Sequence, residues 1–385
     1  MRLALVGPVY PFRGGIAQYT EQLCDALEAQ GHEVLLVSFR RQYPRVLYPG
    51  RTDRVPGADG DCLPHANYWI DSLRPGTWVA TFVRIRRYAP DAMVLQWWSA
   101  FWAPVWLLFL LLNRLTRPIP TIFICHNVYP HEAGRVSILL SRVVLRTGDA
   151  CLVHSEQERQ RLLEANPHAT VTVQGLPVFS LGSRHTALRP RQAAREDLGL
   201  SQAARVFLFF GIVRPYKGLD DLIAAFVHVR QELPEAVLLV AGEFWEPRIR
   251  YEKLIQDLGL CGSVRIDDRY VPDQDLVTYM SAADVVVAPY RRVTGSAVVQ
   301  TARGLGVPVL ATRMGGLVEL AKSDSGVRLV ESSSPCVLAR AMVSSGGSPP
   351  SRRRSHPVLA DQSWRDLATA VEDAIRLAGD PVVVG

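Results

Sequence analysis

RVFLFFGIVRPYKGLDDLIAAF (205–226) contains the structural unit that recurs along the chain. Its first residues, 205–211, form an apolar run with the length of a buried β-strand, and the segment after the glycines has a helical pattern. A strand buried on both faces, followed by a short loop and an amphipathic helix, is typical of a parallel sheet covered by helices. The stretch therefore predicts an α/β fold.

The same alternation occurs on both sides of an Arg- and Pro-rich segment, GSRHTALRPRQAAR (182–195), which we interpret as a linker. Two α/β domains in tandem are expected, covering residues 1–181 and 196–355. In the first, the predicted strands are RLALVG (2–7), HEVLLVSF (32–39), AMVLQWW (92–98), PTIFICH (120–126), ACLVHS (150–155) and TVTVQG (170–175). In the second they are 205–211, AVLLVAGE (236–243), SVRIDD (263–268), DVVVAPY (284–290), VPVLATR (307–313) and GVRLV (326–330).

Composition limits the class of protein. The chain has 385 residues, of which 48% are apolar, values that fit two globular domains and exclude a disordered or disulfide-stapled protein. Its six cysteines contain no Cys-x-x-Cys pair, so neither a zinc site nor a disulfide framework is expected, and a cytoplasmic location is favoured. The net charge of +6 permits an anionic partner without identifying one.

Candidate binding residues follow the predicted strands, because ligands of open parallel sheets bind where the strands end and helices begin. Gly14 and Gly15 come after the first strand, before a helix predicted to start near Ile16, and would let a phosphate approach the backbone. The loop of the quoted stretch carries Arg214 and Lys217, whose charges and the following helix N-terminus suit a diphosphate. A plain turn and a solvated loop are the respective alternatives.

A third candidate lies in APYRRVTGSAVVQTARGLGVPVLATRMGGLVEL (288–320), which joins a strand, a Gly-Ser turn, a helix and a further strand. Gly295, Ser296 and Ala297 would place consecutive backbone N–H donors at the start of the helix. Gln300 follows about one turn later. Such an array can hold phosphate oxygens or the hydroxyl groups of a sugar.

Taken in order, these segments resemble one family, the GT-B fold glycosyltransferases of family 4. The resemblance rests on the Gly-Gly loop, the Arg…Lys-Gly loop, the pattern Gly-x-Pro-Val-x-Ala-Thr…Gly-Gly…Glu at 306–319, and Ser-Trp at 363–364. It implies two Rossmann-like domains facing each other across a cleft that closes on the substrates, and a last helix, 361–379, that packs back on the first domain. It also implies a retaining enzyme that uses a nucleoside-diphosphate sugar (NDP-sugar), with no metal ion and no other cofactor.

The resemblance further implies a role for His126, which ends the strand 120–126. It would lie near the reactive carbon of the donor sugar and orient the sugar or carry a proton. His131 is the rival, and a purely structural histidine is the other alternative. The family usually has two glutamates near the donor turn, where this chain has Arg292 and Gln300. Gln300 can still accept a hydrogen bond from a ribose, whereas an arginine cannot accept one.

Two segments raise the question of a membrane partner. The run 100–117 and the segment 134–148 join apolar residues to arginines, and no apolar run is long enough to cross a bilayer. Both could lie on an anionic leaflet and reach a lipid acceptor, or they could be core helices with snorkelling arginines.

Three further patterns are interpreted as plain structure. Asp59-Gly60-Asp61 imitates a metal-binding motif but lies in a polar, Gly-rich loop, so we interpret it as a turn. The basic stretch 344–357 is interpreted as a solvated loop. No nucleic-acid partner is expected, because aromatic and basic residues do not interleave.

The sequence thus predicts a retaining glycosyltransferase that moves a sugar from an NDP-sugar to a glycan, lipid-linked or small-molecule acceptor. Cell-surface polysaccharide, glycolipid and natural-product synthesis are the expected settings, in the cytoplasm or at the inner face of the plasma membrane. The alternatives are a catalytically silent nucleotide-sugar-binding subunit and an epimerase of the same fold. A phosphorylase is disfavoured, because it needs a pyridoxal-bearing lysine and the chain has only Lys217, Lys253 and Lys322.

Overall fold

The computed structural model describes residues 1–58, 60–129, 134–180, 188–331, 333–345 and 357–379. The described residues form two compact units: those within 1–177 and from 362 onward make up the first, and those within 178–361 make up the second. Each unit is an α/β domain with its own parallel sheet, which confirms the predicted fold class.

The first unit contains seven parallel strands in the order β3-β2-β1-β4-β5-β6-β7. The strands are β1 (Arg2–Val6), β2 (Glu33–Arg41), β3 (Asn67–Asp71), β4 (Ala92–Trp97), β5 (Thr121–Cys125), β6 (Ala150–Val153) and β7 (Val171–Val173). The helices are α1 (Gly15–Ala29), α2 (Pro75–Tyr88), α3 (Ala103–Leu115), α4 (Arg135–Thr147), α5 (Glu156–Ala165) and most of the final helix, α13 (Pro357–Gly379). The sequence prediction missed β3, because this edge strand is only partly buried and lacks a long apolar run.

The second unit contains six parallel strands in the order β10-β9-β8-β11-β12-β13. They are β8 (Val206–Phe210), β9 (Val237–Ala241), β10 (Val264–Asp267), β11 (Val285–Ala288), β12 (Val309–Thr312) and β13 (Val327–Val330), and each was predicted. The helices are α6 (Arg191–Asp197), α7 (Leu219–Glu232), α8 (Ile249–Asp257), α9 (Asp273–Ala282), α10 (Ala297–Gly304), α11 (Gly316–Ser323) and α12 (Pro335–Ser344).

Strand order in both sheets reverses at one point. In the first unit the reversal lies between β1 and β4, and in the second it lies between β8 and β11. The loops that leave two such neighbouring strands diverge to opposite faces of the sheet, which opens a crevice at the carboxyl ends of the strands. The topology therefore places the most favourable ligand position of each unit beside these loops.

The last residues of the linker predicted for 182–195 form a helix in the structure. Residues 182–187 lie outside the described residues, but Arg191–Asp197 form α6, part of the second unit. The sequence misled because Arg195 looks like a solvated charge, whereas its side chain is fully buried and pairs with Asp284 at 2.9 Å. A paired arginine can occupy a core, where an unpaired one cannot.

The last helix belongs to the first unit from residue 362 onward. The ring of Trp364 packs edge-on against Tyr19 of α1, with centroids 5.3 Å apart. About two turns before the end of α13, Glu372 lies 2.7 Å from the ring of His32. The amphipathic face of α13 thus completes the core of this unit.

Candidate functional site

The loops at the strand reversal of the second unit are tied to each other. After β8, Pro215–Lys217 form a 3-10 turn, and the backbone N–H of Arg291, in the loop after β11, donates to the Tyr216 carbonyl at 2.7 Å. The Arg291 guanidinium also donates to both carboxylate oxygens of Asp221 in the first turn of α7. Hydrogen bonds therefore hold the 3-10 turn, the loop after β11 and the first turn of α7 together.

Gly218 permits this close approach. It has a φ of 68°, and a Cβ on it would lie 2.2 Å from the carbonyl oxygen of Pro289. Any side chain here would push the turn away from β11, so the glycine of the predicted Lys-Gly pair is needed for the shape of the site.

Lys217 lies over the end of β8, close to the first turn of α10. A Cβ on Gly211 would lie 3.2 Å both from Lys217 Nζ and from Cγ2 of Val298 in α10. The ammonium also lies 5.7 Å from the ring centroid of Tyr290, whose hydroxyl is 3.3 Å from Ser296 Oγ. Buried Tyr290 thus connects two residues, Lys217 and Ser296, that the sequence predicted separately as donor-binding.

The charge on Lys217 is poorly compensated. Among the described residues the lysine forms no ion pair, and burial, followed by repulsion from Arg214, lowers its pKa to about 8. A half-buried ammonium next to a second cation raises the local positive potential. A diphosphate would relieve this repulsion, because it binds more strongly where two cations converge.

Arg214 lies close to two aromatic rings. Its guanidinium carbon lies 5.3 Å from the ring centroid of Trp245 and 5.8 Å from that of Tyr216. Trp245 follows β9, and its indole N–H donates to the buried carboxylate of Glu243 at 3.1 Å. The backbone N–H of Val213 donates to the Glu243 carbonyl, so the loops after β8 and β9 continue the pairing of their strands.

Replacing Trp245 with alanine should weaken the binding of an NDP-sugar by about two- to fivefold, the contribution expected of one cation–π contact that positions Arg214. Trp245→Phe keeps an aromatic face and should retain most of the affinity. Isothermal titration of both variants measures the effect. Equal affinity of the alanine variant and the wild-type protein would show that the ring does not position Arg214.

The start of α10 offers backbone donors. Ser296 is the N-cap, and its hydroxyl accepts from the Val299 N–H at 3.3 Å. The N–H groups of Ala297 and Val298 belong to the first turn, which has no intrahelical acceptors. With Gly295 before them, these amides fit the predicted role in binding phosphate or sugar oxygens.

Gln300 and Arg292 occupy different surroundings. Gln300 is only 4% exposed, and its amide oxygen accepts a hydrogen bond from Arg303 at 2.6 Å. Arg303 in turn donates to Asp324 at 2.6 Å. To contact a ribose, the amide oxygen of Gln300 would have to accept a second hydrogen bond or give up the one from Arg303. Arg292 is exposed in the loop after β11.

In the first unit, the loop after β1 ends at a helix start. The helix α1 begins at Gly15, one residue before the predicted start, and Gly14 precedes it with a φ of 110°. Gly14 has no side chain, so the N-cap residue makes no side-chain hydrogen bond to the first-turn amides of α1. A Cβ on Gly14 would meet no atom within 4 Å, which leaves this backbone open to approach.

His126 follows β5 at the same edge of the sheet. Its backbone N–H donates to the Trp97 carbonyl at 2.9 Å, and its Nε2 lies 2.7 Å from Oε1 of Gln96. Tyr19 of α1 packs edge-on against its ring, with centroids 4.7 Å apart. Burial, followed by the nearby ring of His154, lowers the pKa of His126 well below its ordinary value. The imidazole is therefore neutral at physiological pH.

Several predictions concern other parts of the chain. His131 and Asp59 lie outside the described residues, and Asp61 accepts a hydrogen bond from the Tyr10 hydroxyl at 3.2 Å. Within the described ranges, no group of three His, Cys, Asp or Glu side chains is arranged to hold a metal ion. No helix among these residues is long and apolar enough to cross a bilayer.

Sequence reasoning missed the residues that support the predicted ones. Tyr290, Trp245 and Gln96 each lie at or just beyond the end of a strand, which was the available signal. Their contacts depend on which strands become neighbours, which sequence periodicity does not give.

Two family models match the chain. Residues 14–177 match the glycosyl transferase 4-like domain, and residues 204–345 match glycosyl transferases group 1. Together they cover most of both units.

Curated relatives carry related names. A D-inositol 3-phosphate glycosyltransferase from Segniliparus rotundus is 36% identical over 149 residues, covering 38% of this chain and 33% of the relative. One from Corynebacterium aurimucosum is 29% identical over 63% of this chain and 59% of the relative. The matches thus span between about a third and three fifths of these relatives' length.

Solved structures share the fold. Sucrose-phosphate synthase from Thermosynechococcus elongatus has a TM-score of 0.67 at 19% identity, covering 98% of this chain and 96% of its own. HepE from Anabaena, in complex with UDP-glucose, has a TM-score of 0.67 at 16% identity, with 98% of each chain covered. Starch synthase IV from Arabidopsis thaliana, bound to ADP and acarbose, has a TM-score of 0.70 at 15% identity, covering 98% and 99%.

Proposed function

The chain belongs to the GT-B glycosyltransferases of the family 4 type, and from that premise we propose that it transfers a sugar from an NDP-sugar to the hydroxyl group of an acceptor. The configuration of the anomeric carbon is retained in the proposed reaction. The second unit binds the donor and the first unit holds the acceptor.

One observation carries the donor assignment. The strand reversal of the second sheet has Arg214 and Lys217 on one side and the first-turn amides of α10 on the other, with Tyr290 in contact with Lys217 and Ser296. Cations and oriented N–H groups at such a point are suited to a diphosphate. Gly15 supplies the equivalent backbone feature in the first unit.

In the proposed reaction, the bond between the anomeric carbon and the terminal phosphate oxygen breaks, and its electron pair stays on the nucleoside diphosphate. The developing charge is stabilised by Lys217, Arg214 and the amides at 295–297, which are already oriented before reaction. The acceptor oxygen forms the new bond to the same face of the sugar, and its proton passes to the departing phosphate oxygen. Neutral His126 accepts a hydrogen bond from a substrate hydroxyl and so orients that substrate.

Acceptors that are glycans, lipid-linked sugars or small molecules all fit this chemistry. The curated relatives are named for inositol 3-phosphate, a small phosphorylated polyol. We propose an acceptor whose reacting group is a sugar or polyol hydroxyl.

The direct test is incubation of the full chain with a panel of UDP-, GDP- and dTDP-sugars, with and without a lipid extract, while nucleoside diphosphate release is followed. We expect one donor to be consumed, faster when acceptor is present. If the folded protein neither binds nor consumes any donor, the proposed function is wrong.

A second candidate function, a nucleotide-sugar-binding subunit without activity, has one observation in its favour. The donor loop and the start of α10, residues 288–300, contain no carboxylate, and Gln300 is turned toward Arg303. The same panel separates the two functions, because a silent subunit binds its nucleotide sugar without releasing nucleoside diphosphate.

We also propose that α3 and α4 contact an anionic membrane surface. Both pack against the sheet through one face, yet α4 exposes Val136, Leu139 and Val143 in one stripe, and α3 exposes Leu111 and Leu115. Residues 92–148 contain five arginines and one acidic residue, Glu132. Apolar side chains flanked by arginines suit the headgroup region of anionic lipids.

Flotation with vesicles of phosphatidylcholine and phosphatidylglycerol in equal parts tests this proposal. The double variant Arg135→Glu/Val136→Ser should lower vesicle binding at least about tenfold. The control, Val79→Ser/Val83→Ser, removes similarly exposed valines from α2 and should leave binding unchanged. Failure of the wild-type protein to float, or equal loss in both variants, would refute a membrane role for α4.

A further inference from the structure

The side chain of Gln96 is fully buried at the end of β4 and faces His126. Its Oε1 lies 2.7 Å from Nε2 of the imidazole, a short hydrogen bond between neutral groups. Gly7, directly after the neighbouring strand β1, makes room for this contact. A Cβ on Gly7 would lie only 2.5 Å from Cγ of Gln96. A side chain at the end of β1 would therefore displace the glutamine.

The groups around His126 keep the ring from becoming charged. Tyr19 and His154 pack against it from α1 and from the segment after β6, at centroid distances of 4.7 and 5.6 Å. Burial lowers the pKa of His154 to about 4, so that ring is neutral as well. The carboxylate of Glu158 accepts from the Val128 N–H, two residues after His126, at 2.7 Å and pairs with Arg161 at 2.6 Å.

We infer that Gln96 is a positioning residue that holds His126 as the neutral tautomer with its proton on Nε2. An amide oxygen can only accept, so the imidazole must supply the N–H of this hydrogen bond. Nδ1 then carries the lone pair. The inference rests on the proposed function only for its consequence, that Nδ1 is the atom that accepts a hydrogen bond from a substrate hydroxyl.

This arrangement explains why a neutral histidine is useful here. A ring free to exchange tautomers would present an N–H donor to the substrate for part of the time, whereas one held by Gln96 presents an acceptor throughout. The hydrogen bond also fixes the plane of the ring, which Tyr19 supports from one side. Orientation of a reacting sugar to within a fraction of an ångström depends on such support.

The tautomer is measured directly by long-range ¹H–¹⁵N correlation spectra of the free protein, assigned with His126→Gln. We expect the pattern of an Nε2–H tautomer between about pH 6 and 8. A predominant Nδ1–H tautomer, or an equal mixture, would overturn the inference. This measurement needs no substrate, so it tests the tautomer independently of catalysis. If no donor is consumed, that result counts against the proposed function and leaves the tautomer inference unaffected.

Variants of Gln96 provide a second readout. Gln96→Glu places a carboxylate beside Nε2 and should raise the pKa of His126 by about 1–3 pH units, moving the pH profile of kcat in the same direction. Gln96→Met should release the tautomer and lower kcat with little change in KM for the donor. Gln174→Glu, which adds the same charge after β7, is the control and should shift the pKa far less. Equal shifts in the two glutamate variants would contradict a specific role for Gln96.

Discussion

Lys217→Ala should weaken binding of the NDP-sugar by about 10- to 100-fold, the loss expected for one charged hydrogen bond to a phosphate. The effect is large because the ammonium lies where the end of β8 meets the first turn of α10, and no ion pair among the described residues competes for it. Isothermal titration with the nucleoside diphosphate measures the loss. Lys253→Ala, which removes an exposed lysine from α8 of the same unit, is the matched control and should bind normally.

The same lysine predicts a pH dependence. Its pKa of about 8 means that the cation is present below this pH and is lost above it. Donor affinity of the wild-type protein should therefore fall as the pH rises through 8, whereas Lys217→Arg should remain flat, since arginine stays charged. A wild-type affinity that does not change across this range would remove Lys217 from the phosphate site.

The largest expected effect on stability concerns the buried pair Arg195 and Asp284. Both side chains are at most 1% exposed, and Arg195 also donates to the carbonyls of Ala282, Ser201, Gln202 and Ala204. Arg195→Met removes the buried cation, so the Asp284 carboxylate keeps only Arg191 at 3.2 Å and the Val206 N–H at 2.8 Å, and the carbonyls lose their guanidinium donor. The second unit should therefore lose about 3–5 kcal/mol of its free energy of unfolding.

Urea denaturation of the full chain measures this loss, with the transition of the second unit identified by hydrogen exchange. The control is Arg248→Ala, which breaks an exposed ion pair with Glu252 on α8 and should cost about 0.5 kcal/mol or less. A loss below about 1 kcal/mol in Arg195→Met would show that the pair does not hold α6 to the sheet.

The fold could be predicted from the sequence because most of its central strands are buried on both faces. Residues 206–210 are apolar throughout, and the partly exposed strands β10 and β13 still contain enough apolar residues to be located. The exception, Asn67–Asp71, is an edge strand with partly exposed side chains, so its sequence carries no such signal. The burial of Arg195 could not be predicted either, because only the tertiary structure reveals Asp284, the partner that allows this charge to be buried.

The candidate site could be predicted in part. Arg214, Lys217 and Ser296 were identified from their positions after strands, and the structure places them beside the strand reversal of one sheet. Gln300 was assigned to a ribose from the resemblance to the family pattern, which does not show that Arg303 occupies its amide oxygen. Spacing along one helix predicts which residues share a face, but not which partner each of them meets.

Hydrogen exchange with and without the bound NDP-sugar tests the central claim most directly, because it reports the contacts of each amide along the chain. The account predicts slower exchange on donor binding at residues 211–219 and 294–299, which include the turn of Lys217 and the first amides of α10. Donor binding that leaves both segments unchanged and protects a different part of the second unit would contradict it.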